Sequence, residues 1–486
     1  MKRINVFALL MFVSALANAE SVSELPDLEL NKCVLDMPGT PTTAEAECGW
    51  LTVLENRQQP DSKKIRLRFV LARAVKPSAD STPIFFFAGG PGQASSELWV
   101  QLENPLKKLQ RNHDIVLLDQ RGTGAESPLS CTLDDESMDL RVDLEKTTRQ
   151  VRECLQKIDG DPRFYTTTLA MADYEQLRIA LGYNKINLIG TSYGTRAVQE
   201  YLRRYPDVVR SITLDSVAPV ELILGSEHAM NLDLAMAGIF GDCRDDADCH
   251  EAFPDVEKQL QQLIQQARNN PQMITIDDPL SGDPVELEAN MDVIGIALRM
   301  LAYSSSTQAQ LPFLINDAVI NNNPKRLLAQ ALMVMSSMQG MISHWMELAV
   351  ICSEDYPLMQ PRPEDADTII GEAFYKMLVA QCEVWPRGEV PADFHQPFSS
   401  DVPALLLSGE FDPVTPPRYA DQAAKQFSQH LNLVVKGQGH SVSFSKCTRE
   451  IVTDFITTAS LEELDTSCLE KQGRSPFFIN LLGPTP

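Results

Sequence analysis

Short apolar runs recur along the chain between helical or polar stretches, and their spacing predicts a sheet. These runs are rich in β-branched and aromatic residues. They cover positions 65–70, 84–87, 115–118, 186–189, 212–214, 404–407 and 431–435. Because near-continuous apolar strands are typical of a sheet that is covered on both faces, the pattern predicts an α/β fold with a mostly parallel central sheet.

The strand rhythm stops between Leu214 and Ala404. Helix-like segments with Met-rich apolar stripes take its place, at 292–303, 308–320 and 342–351. A helical insertion between two sheet strands is the simplest interpretation. We therefore expect a core domain in two parts, with a helical cap inserted between them; the boundaries are 20–222 for the first part, 223–399 for the cap and 400–486 for the second part.

The N-terminal segment has the pattern of a signal peptide. Lys2 and Arg3 precede an apolar run at 6–16, and Ala17-Asn-Ala19 supplies the small residues that a signal peptidase requires. The alternative is a membrane anchor, but spanning the hydrocarbon core takes roughly 20 apolar residues. We expect residues 1–19 to be removed near Ala19, and the mature protein to be exported, periplasmic or secreted, without stable membrane insertion.

Composition and charge narrow the function further. The 486 residues are 44% hydrophobic, which is typical of a folded protein with a large core. Lys and Arg number 42 against 66 Asp and Glu, giving a net charge of −24. Since binding to phosphate backbones needs clustered basic side chains, this charge argues against a nucleic-acid partner.

The ten cysteines fall in local couples. An even number in an oxidising compartment indicates disulfides rather than thiol or metal chemistry, although the sequence alone does not fix which cysteines are bonded. Neighbour pairing would join Cys33 to Cys48, Cys131 to Cys154, Cys243 to Cys249, Cys352 to Cys382, and Cys447 to Cys468. The chain has no C-x-x-C motif and no histidine-rich spacing beside these residues, so we expect no zinc site and no cysteine nucleophile.

The strongest local signal is the segment Gly190-Thr-Ser192-Tyr-Gly194, which follows a predicted strand and precedes an amphipathic helix. A sharp turn from strand to helix needs small flanking residues and presents its central serine at the tip. The alternative is an ordinary glycine-rich turn. The strand and helix context favours Ser192 as a catalytic nucleophile.

A serine nucleophile needs a base and an orienting carboxylate, which follow it in the chain order Ser, Asp, His. Of the seven histidines, His440 alone follows a β-like run in a glycine-rich loop. Asp412 follows the run at 404–407, so it should lie at the same sheet edge as the serine, with Glu410 as its nearest competitor. We expect Ser192, Asp412 and His440 to form a catalytic triad.

The oxyanion of an acyl-transfer reaction needs backbone N–H donors. Tyr193, the residue after the nucleophile, should supply one donor. The loop after the run at 84–87 should supply the other, because its glycines allow backbone to approach the substrate closely. We expect Gly90 to be this donor, with Gly89 as the alternative.

These motifs resemble those of the α/β-hydrolase peptidases of the proline iminopeptidase and tripeptidyl aminopeptidase group. The resemblance also covers Gly89-Gly-Pro-Gly92 and Asp119-Gln-Arg-Gly-Thr-Gly124, and it extends over roughly residues 45–470. The cysteines at 243 and 249 resemble the start of the cap in the exported tripeptidyl branch. One departure is Ala88, where many members of the group have histidine.

The resemblance implies a serine aminopeptidase that cleaves peptide bonds near a free N-terminus through an acyl-enzyme, without metal or organic cofactor. It implies that acidic side chains hold the α-ammonium of the substrate, and Glu354 and Asp355 are the candidates. The alternative for both is a solvated acidic turn. Arg121 and Asp119 are interpreted as structural residues behind the nucleophile.

Two other functions remain open at this stage. A carboxylesterase would use the same triad, and a non-catalytic binding protein could share the scaffold. The sequence leaves open whether one or three residues are released, whether proline is preferred, and the oligomeric state.

Overall fold

The computed structural model describes residues 28–37, 41–78, 81–133, 143–279, 281–338 and 341–485. The predicted signal peptide at 1–19 lies outside the described residues.

A twisted central sheet of nine strands forms the middle of the molecule. The strands of the chain are β1 (Asn31–Asp36), β2 (Thr43–Leu54), β3 (Lys64–Ala72), β4 (Ile84–Phe87), β5 (Ile115–Leu118), β6 (Ile186–Thr191), β7 (Val209–Asp215), β8 (Met273–Asp277), β9 (Pro284–Glu288), β10 (Ala404–Gly409) and β11 (His430–Val435). The spatial order in the central sheet is β1-β2-β3-β5-β4-β6-β7-β10-β11. The first three strands pair antiparallel up to β5, and all pairs from β5 to β11 are parallel. This confirms the predicted fold class.

Helices cover both faces of this sheet. The helices are α1 (Trp99–Gln110), α2 (Leu144–Lys157), α3 (Thr167–Ala180), α4 (Tyr193–Arg204), α5 (His228–Asp245), α6 (Ala247–Ala252), α7 (Val256–Asn269), α8 (Met291–Leu301), α9 (Ser305–Gln308), α10 (Leu311–Ile320), α11 (Lys325–Met338), α12 (His344–Glu354), α13 (Ala373–Cys382), α14 (Pro417–Ala424) and α15 (Lys446–Thr458). Phe85 and Phe87 of β4 belong to the core with α3 and α4, whereas Ile84 and Phe86 belong to the core with α1 and α15. Successive strand side chains therefore fill opposite cores, which explains why the strands are apolar throughout.

The segment between β7 and β10 contains helices α5 to α13 and has a hydrophobic core of its own, built mainly from α5, α7, α8, α10 and α11. It also contains the hairpin of β8 and β9, which the sequence analysis missed. Ile274 and Ile276 of β8 are buried while Met273 and Thr275 are exposed. An alternation over only five residues is a weak signal for a strand when long helical patterns surround it.

The first two strands were also missed. In β2, Leu51 and Val53 are buried whereas Thr52 is exposed, and β1 at the sheet edge is mostly exposed. Antiparallel strands with one solvated face alternate between apolar and polar side chains, so they lack the continuous apolar run that identified the parallel strands.

The ten cysteines are bonded in neighbouring pairs along the chain. The disulfides join Cys33 to Cys48, Cys131 to Cys154, Cys243 to Cys249, Cys352 to Cys382, and Cys447 to Cys468. Within the described ranges, none of the helices combines the length and apolar character needed to cross a membrane.

Candidate active site

Ser192 lies at the tip of the turn between β6 and α4, in a backbone conformation that non-glycine residues rarely adopt. Its φ is 57° and its ψ is −126°. The glycines on either side leave no room for a side chain: a Cβ on Gly190 would lie 2.5 Å from the Gly194 carbonyl oxygen, and one on Gly194 would overlap the Phe87 carbonyl oxygen. This close packing of backbone holds the serine in its strained conformation.

The His440 imidazole is hydrogen-bonded to the Asp412 carboxylate. Nδ1 of His440 lies 2.8 Å from Oδ2 of Asp412, and both side chains are almost fully buried. The carboxylate is fixed in turn by three donors, the N–H groups of Val414 and Thr415 and the hydroxyl of Thr415, at 2.8 to 2.9 Å. The competing acid, Glu410, instead accepts a hydrogen bond from the N–H of Gly437.

The electrostatics of this pair suit an imidazole base held by an ionised acid. Burial by itself raises the pKa of Asp412, but the charge of His440 and the hydrogen bonds outweigh it and hold this pKa at about 2. Burial likewise lowers the pKa of His440, but the Asp412 carboxylate more than offsets that effect, and the net shift of the pKa is upward. Asp412 therefore stays ionised across the physiological range.

Asp215, which the sequence analysis missed, connects the serine turn to the histidine loop. Its carbonyl oxygen accepts the N–H of Ser192 at 2.9 Å. Its buried carboxylate accepts the N–H groups of Val442 and Ser443, two and three residues after His440, at 2.9 to 3.0 Å. Like Asp412, Asp215 directly follows an apolar run, at the carboxyl end of β7 between β6 and β10. Its position after an apolar run is the sequence signal that could have identified Asp215.

The loop after β4 lies against the serine. A Cβ on Gly89 would be 3.2 Å from the Cβ of Ser192. The N–H of Gly89 already donates to Oε1 of Gln93 at 3.2 Å. Within the described residues, no protein acceptor is found for the N–H groups of Gly90 and Tyr193.

Glu354 and Asp355 lie at the end of α12 and are both buried, not in a solvated turn. The Asp355 carboxylate forms an ion pair with the buried Arg196 at 3.0 Å. Glu354 accepts hydrogen bonds from the N–H and the hydroxyl of Thr167 at 2.5 and 2.9 Å, and that hydroxyl contacts the Tyr193 hydroxyl. Burial, reinforced by the neighbouring Asp355, raises the pKa of Glu354 to about 8.

Arg121 and Asp119 have structural contacts, in keeping with their interpretation. The buried Arg121 guanidinium binds both carboxylate oxygens of Asp173 at 2.7 and 2.8 Å and also donates to three backbone carbonyls. Asp119 accepts hydrogen bonds from the N–H and hydroxyl of Ser96. Burial raises the pKa of Asp119 to about 7 in spite of these donors.

Residues of the segment between β7 and β10 lie over His440. The Tyr303 carbonyl accepts the N–H of His440 at 2.7 Å, and the two rings pack edge to face with centroids 5.5 Å apart. His228, the first residue of α5, is half-buried nearby. Burial, and then the positive charges of Arg299 and His440, hold the pKa of His228 well below its usual value. These residues are more than 130 positions from His440 in the sequence, and no local pattern marks them.

The described residues include no cluster of three or more His, Cys, Asp or Glu side chains arranged to bind a metal ion. What the arrangement offers is a serine on a strained turn, an imidazole held by a carboxylate, and two free backbone donors at one edge of the sheet. These are the components of nucleophilic acyl transfer.

Comparisons with known proteins find similarity to hydrolases and peptidases. Residues 82–240 match the family described as alpha/beta hydrolase fold, and residues 367–468 match the family described as TAP-like protein. Serine protease Hip1 of Mycobacterium tuberculosis is 25% identical, with 91% of each chain covered. Putative hydrolase YuaR of Escherichia coli is 22% identical over 88% of this chain and 89% of that protein. Tripeptidyl aminopeptidase of Streptomyces lividans is 26% identical over 41% of this chain and 40% of that protein.

Proposed function

We propose that this chain, which has the α/β-hydrolase fold, is an exported serine aminopeptidase of the prolyl or tripeptidyl type. It hydrolyses peptide bonds near a free N-terminus through an acyl-enzyme. The observation that carries the proposal is the buried hydrogen bond between His440 and Asp412, at the same sheet edge as Ser192 on its strained turn.

In the proposed reaction, Oγ of Ser192 attacks the scissile carbonyl carbon while the His440 imidazole takes the hydroxyl proton. Asp412 holds Nδ1 of the imidazole and stabilises the imidazolium that forms. The N–H groups of Gly90 and Tyr193 bind the oxyanion of the tetrahedral intermediate. His440 then gives its proton to the leaving amine as the C–N bond breaks, and water hydrolyses the ester on Ser192 by the same steps.

Peptidase activity is supported by the names of two relatives, and the preference for a free N-terminus is supported by one of those names and by the buried acids. Hip1 is named a serine protease and the Streptomyces relative a tripeptidyl aminopeptidase. Of the two candidate acids, Asp355 is already neutralised by Arg196, whereas Glu354 has only neutral hydrogen-bond donors. A substrate ammonium would supply the missing charge, and its binding would favour the ionised form of Glu354.

Two features support the expected location and domain organisation. Five disulfides are typical of a protein from an oxidising compartment, which suits export after removal of residues 1–19. We assign residues 223–399 as a cap on the hydrolase body of 20–222 and 400–486. The contact of Tyr303 with His440 supports a cap that restricts access to the site.

The test compares free-amine peptide anilides with their N-acetylated counterparts and with short acyl esters. Prolyl, alanyl and trialanyl 4-nitroanilides would be used, so the length of the released group is read in the same experiment. We expect kcat/KM to fall by about 10-fold or more on N-acetylation, because one charge-assisted hydrogen bond is worth roughly 1.5–3 kcal/mol. Fast ester hydrolysis without cleavage of any free-amine anilide would instead identify a carboxylesterase.

A further inference from the structure

Arg299 on α8 lies one aromatic ring away from His440. The carbon of its guanidinium is 5.8 Å from the centre of the Tyr303 ring, and the Tyr303 ring packs against the His440 imidazole. The same carbon is 5.8 Å from the centre of the Phe374 ring. The guanidinium therefore lies within cation–π distance of both rings, and the Tyr303 ring connects it to the imidazole.

This guanidinium has no counter-ion in the part of the chain that the structure describes. It forms no ion pair there, and its Nη1 atom is buried without a hydrogen-bond partner. The buried Arg121 and Arg196, by contrast, each have a carboxylate partner at 2.7 to 3.0 Å. In a chain with 66 acidic residues, an unpaired buried donor of this kind is a cost in free energy that a ligand can remove.

The surroundings of Arg299 favour an anion. The side chains that face it from the cap are Tyr303, Phe374 and the half-buried His228, whose pKa is lowered by burial and by Arg299 itself. The nearby Asp412 carboxylate is occupied by His440 and Thr415.

The position of Arg299, next to the ring that packs on His440, indicates which part of a substrate the guanidinium would contact. In acyl transfer the imidazole hands its proton to the leaving amine, so the leaving group occupies the space beside His440. A guanidinium binds a carboxylate through two parallel N–H donors, whereas the ammonium group of lysine does not impose this geometry.

We propose that Arg299 binds the carboxylate of the leaving group, so that the substrates are short peptides from which a single C-terminal amino acid departs with its carboxylate free. This inference rests on the proposed function, since it names the substrate class of the same site. The peptide C–N bond breaks, the departing nitrogen takes the proton from His440, and the guanidinium is unchanged.

The test uses pairs of alanine peptides that differ only at the C-terminus, as free acid or amide. Peptides of two to five residues are digested, and the pair in which one residue departs is compared by kcat/KM. We expect the free acid to be preferred by about 10- to 100-fold, from the strength of charge-assisted hydrogen bonds. Arg299→Gln should bring this ratio close to one, and Arg299→Lys should keep part of it.

Arg326→Gln is the matched control, because Arg326 is an exposed cap arginine already paired with Asp317. It should leave the ratio unchanged. A ratio near one in the unmodified enzyme, or an equal loss on acid and amide in Arg299→Gln, would overturn the proposal. If no peptide is cleaved, the proposed peptidase function fails, but the role of Arg299 can still be tested. The same comparison is then made with 4-acetoxybenzoate and its methyl ester, because only the first releases a leaving group with a free carboxylate.

Discussion

Replacing Asp412 with asparagine should separate the role of this carboxylate from that of Asp215, the other buried acid beside His440. Asp412 contacts the imidazole itself at 2.8 Å, whereas Asp215 binds the backbone of the loop that follows it. Both side chains are buried, and asparagine preserves the size of each. The two variants therefore form a matched pair.

The Asp412→Asn variant should lose activity more than stability. Asparagine keeps an acceptor oxygen for the N–H groups of Val414 and Thr415, which aspartate now receives at 2.8 and 2.9 Å. It loses the charge that stabilises the imidazolium, and its amide favours the wrong imidazole tautomer. In a triad of this geometry the loss in kcat is about 10⁴-fold, while we expect the free energy of unfolding to fall by only about 1 kcal/mol.

The Asp215→Asn variant should show the opposite balance. Its two carboxylate oxygens receive two backbone N–H groups in three contacts of 2.9 to 3.0 Å. Asparagine can satisfy one of these donors, and its amide then faces the other. An unmet buried donor costs about 1–3 kcal/mol, and we expect destabilisation of roughly that size. Losing the charge adds nothing to it, because burial raises the pKa of Asp215 and so disfavours the ionised form. The loosened loop should lower kcat by about 10- to 100-fold.

Urea unfolding under non-reducing conditions and steady-state kinetics on one free-amine anilide would measure both effects. A loss of about 10⁴-fold in kcat for Asp215→Asn, with a tenth of the activity kept by Asp412→Asn, would refute the roles given to the two acids. Unfolding of Asp215→Asn at the same urea concentration as the unmodified protein would refute the structural role of Asp215.

Three further predictions concern titration and packing. The pKa of Glu354 is raised to about 8, so the folded state keeps a proton that the unfolded state releases above its ordinary pKa near 4.5. The free energy of unfolding should therefore fall as pH rises between these two values. Glu354→Gln should make this fall shallower in urea titrations, and an unchanged slope would contradict the burial argument. Gly194→Ala should prevent folding or lower the melting temperature strongly, because its Cβ would overlap the Phe87 carbonyl oxygen. Gly473 has open space around it, so Gly473→Ala should have little effect in the same thermal melts. Asp412 raises the pKa of His440, so the acid limb of the plot of kcat/KM against pH should have its midpoint above the ordinary imidazole pKa of about 6.5. In Asp412→Asn this midpoint should shift to lower pH. A midpoint that does not shift would show that another group titrates.

Part of this site could be predicted from the sequence because its signals are local. Glycines two residues on either side of Ser192 mark a turn that leaves no room for a Cβ, and this requirement is written into a five-residue segment. Asp412 and His440 follow apolar runs, so their place at one sheet edge follows from the parallel topology. The buried parallel strands were predicted for the same reason, since burial on both faces makes each run apolar.

The remaining features depend on contacts between distant parts of the chain. Tyr303 packs on His440, and Arg299 lies near Tyr303, only because the segment between β7 and β10 packs against the sheet, and nothing near these residues in the sequence indicates it. Glu354 and Asp355 have the composition of a solvated turn, yet both lie in the interior, where Arg196 pairs with Asp355 and Thr167 donates to Glu354. Burial of a charged pair is decided by partners that a local pattern does not contain.

Active-site labelling with a fluorophosphonate, followed by mass-spectrometric peptide mapping of the unreduced and reduced protein, tests the central claim most directly. The reagent reacts with an activated serine and leaves ordinary hydroxyls unmodified. We expect one label per chain, on the peptide that contains Ser192. Ser192→Ala should take up no label, and neither should the protein at a pH low enough to keep His440 protonated. A folded protein that takes up no label, or one labelled at another serine, would contradict the assignment of Ser192 as the nucleophile.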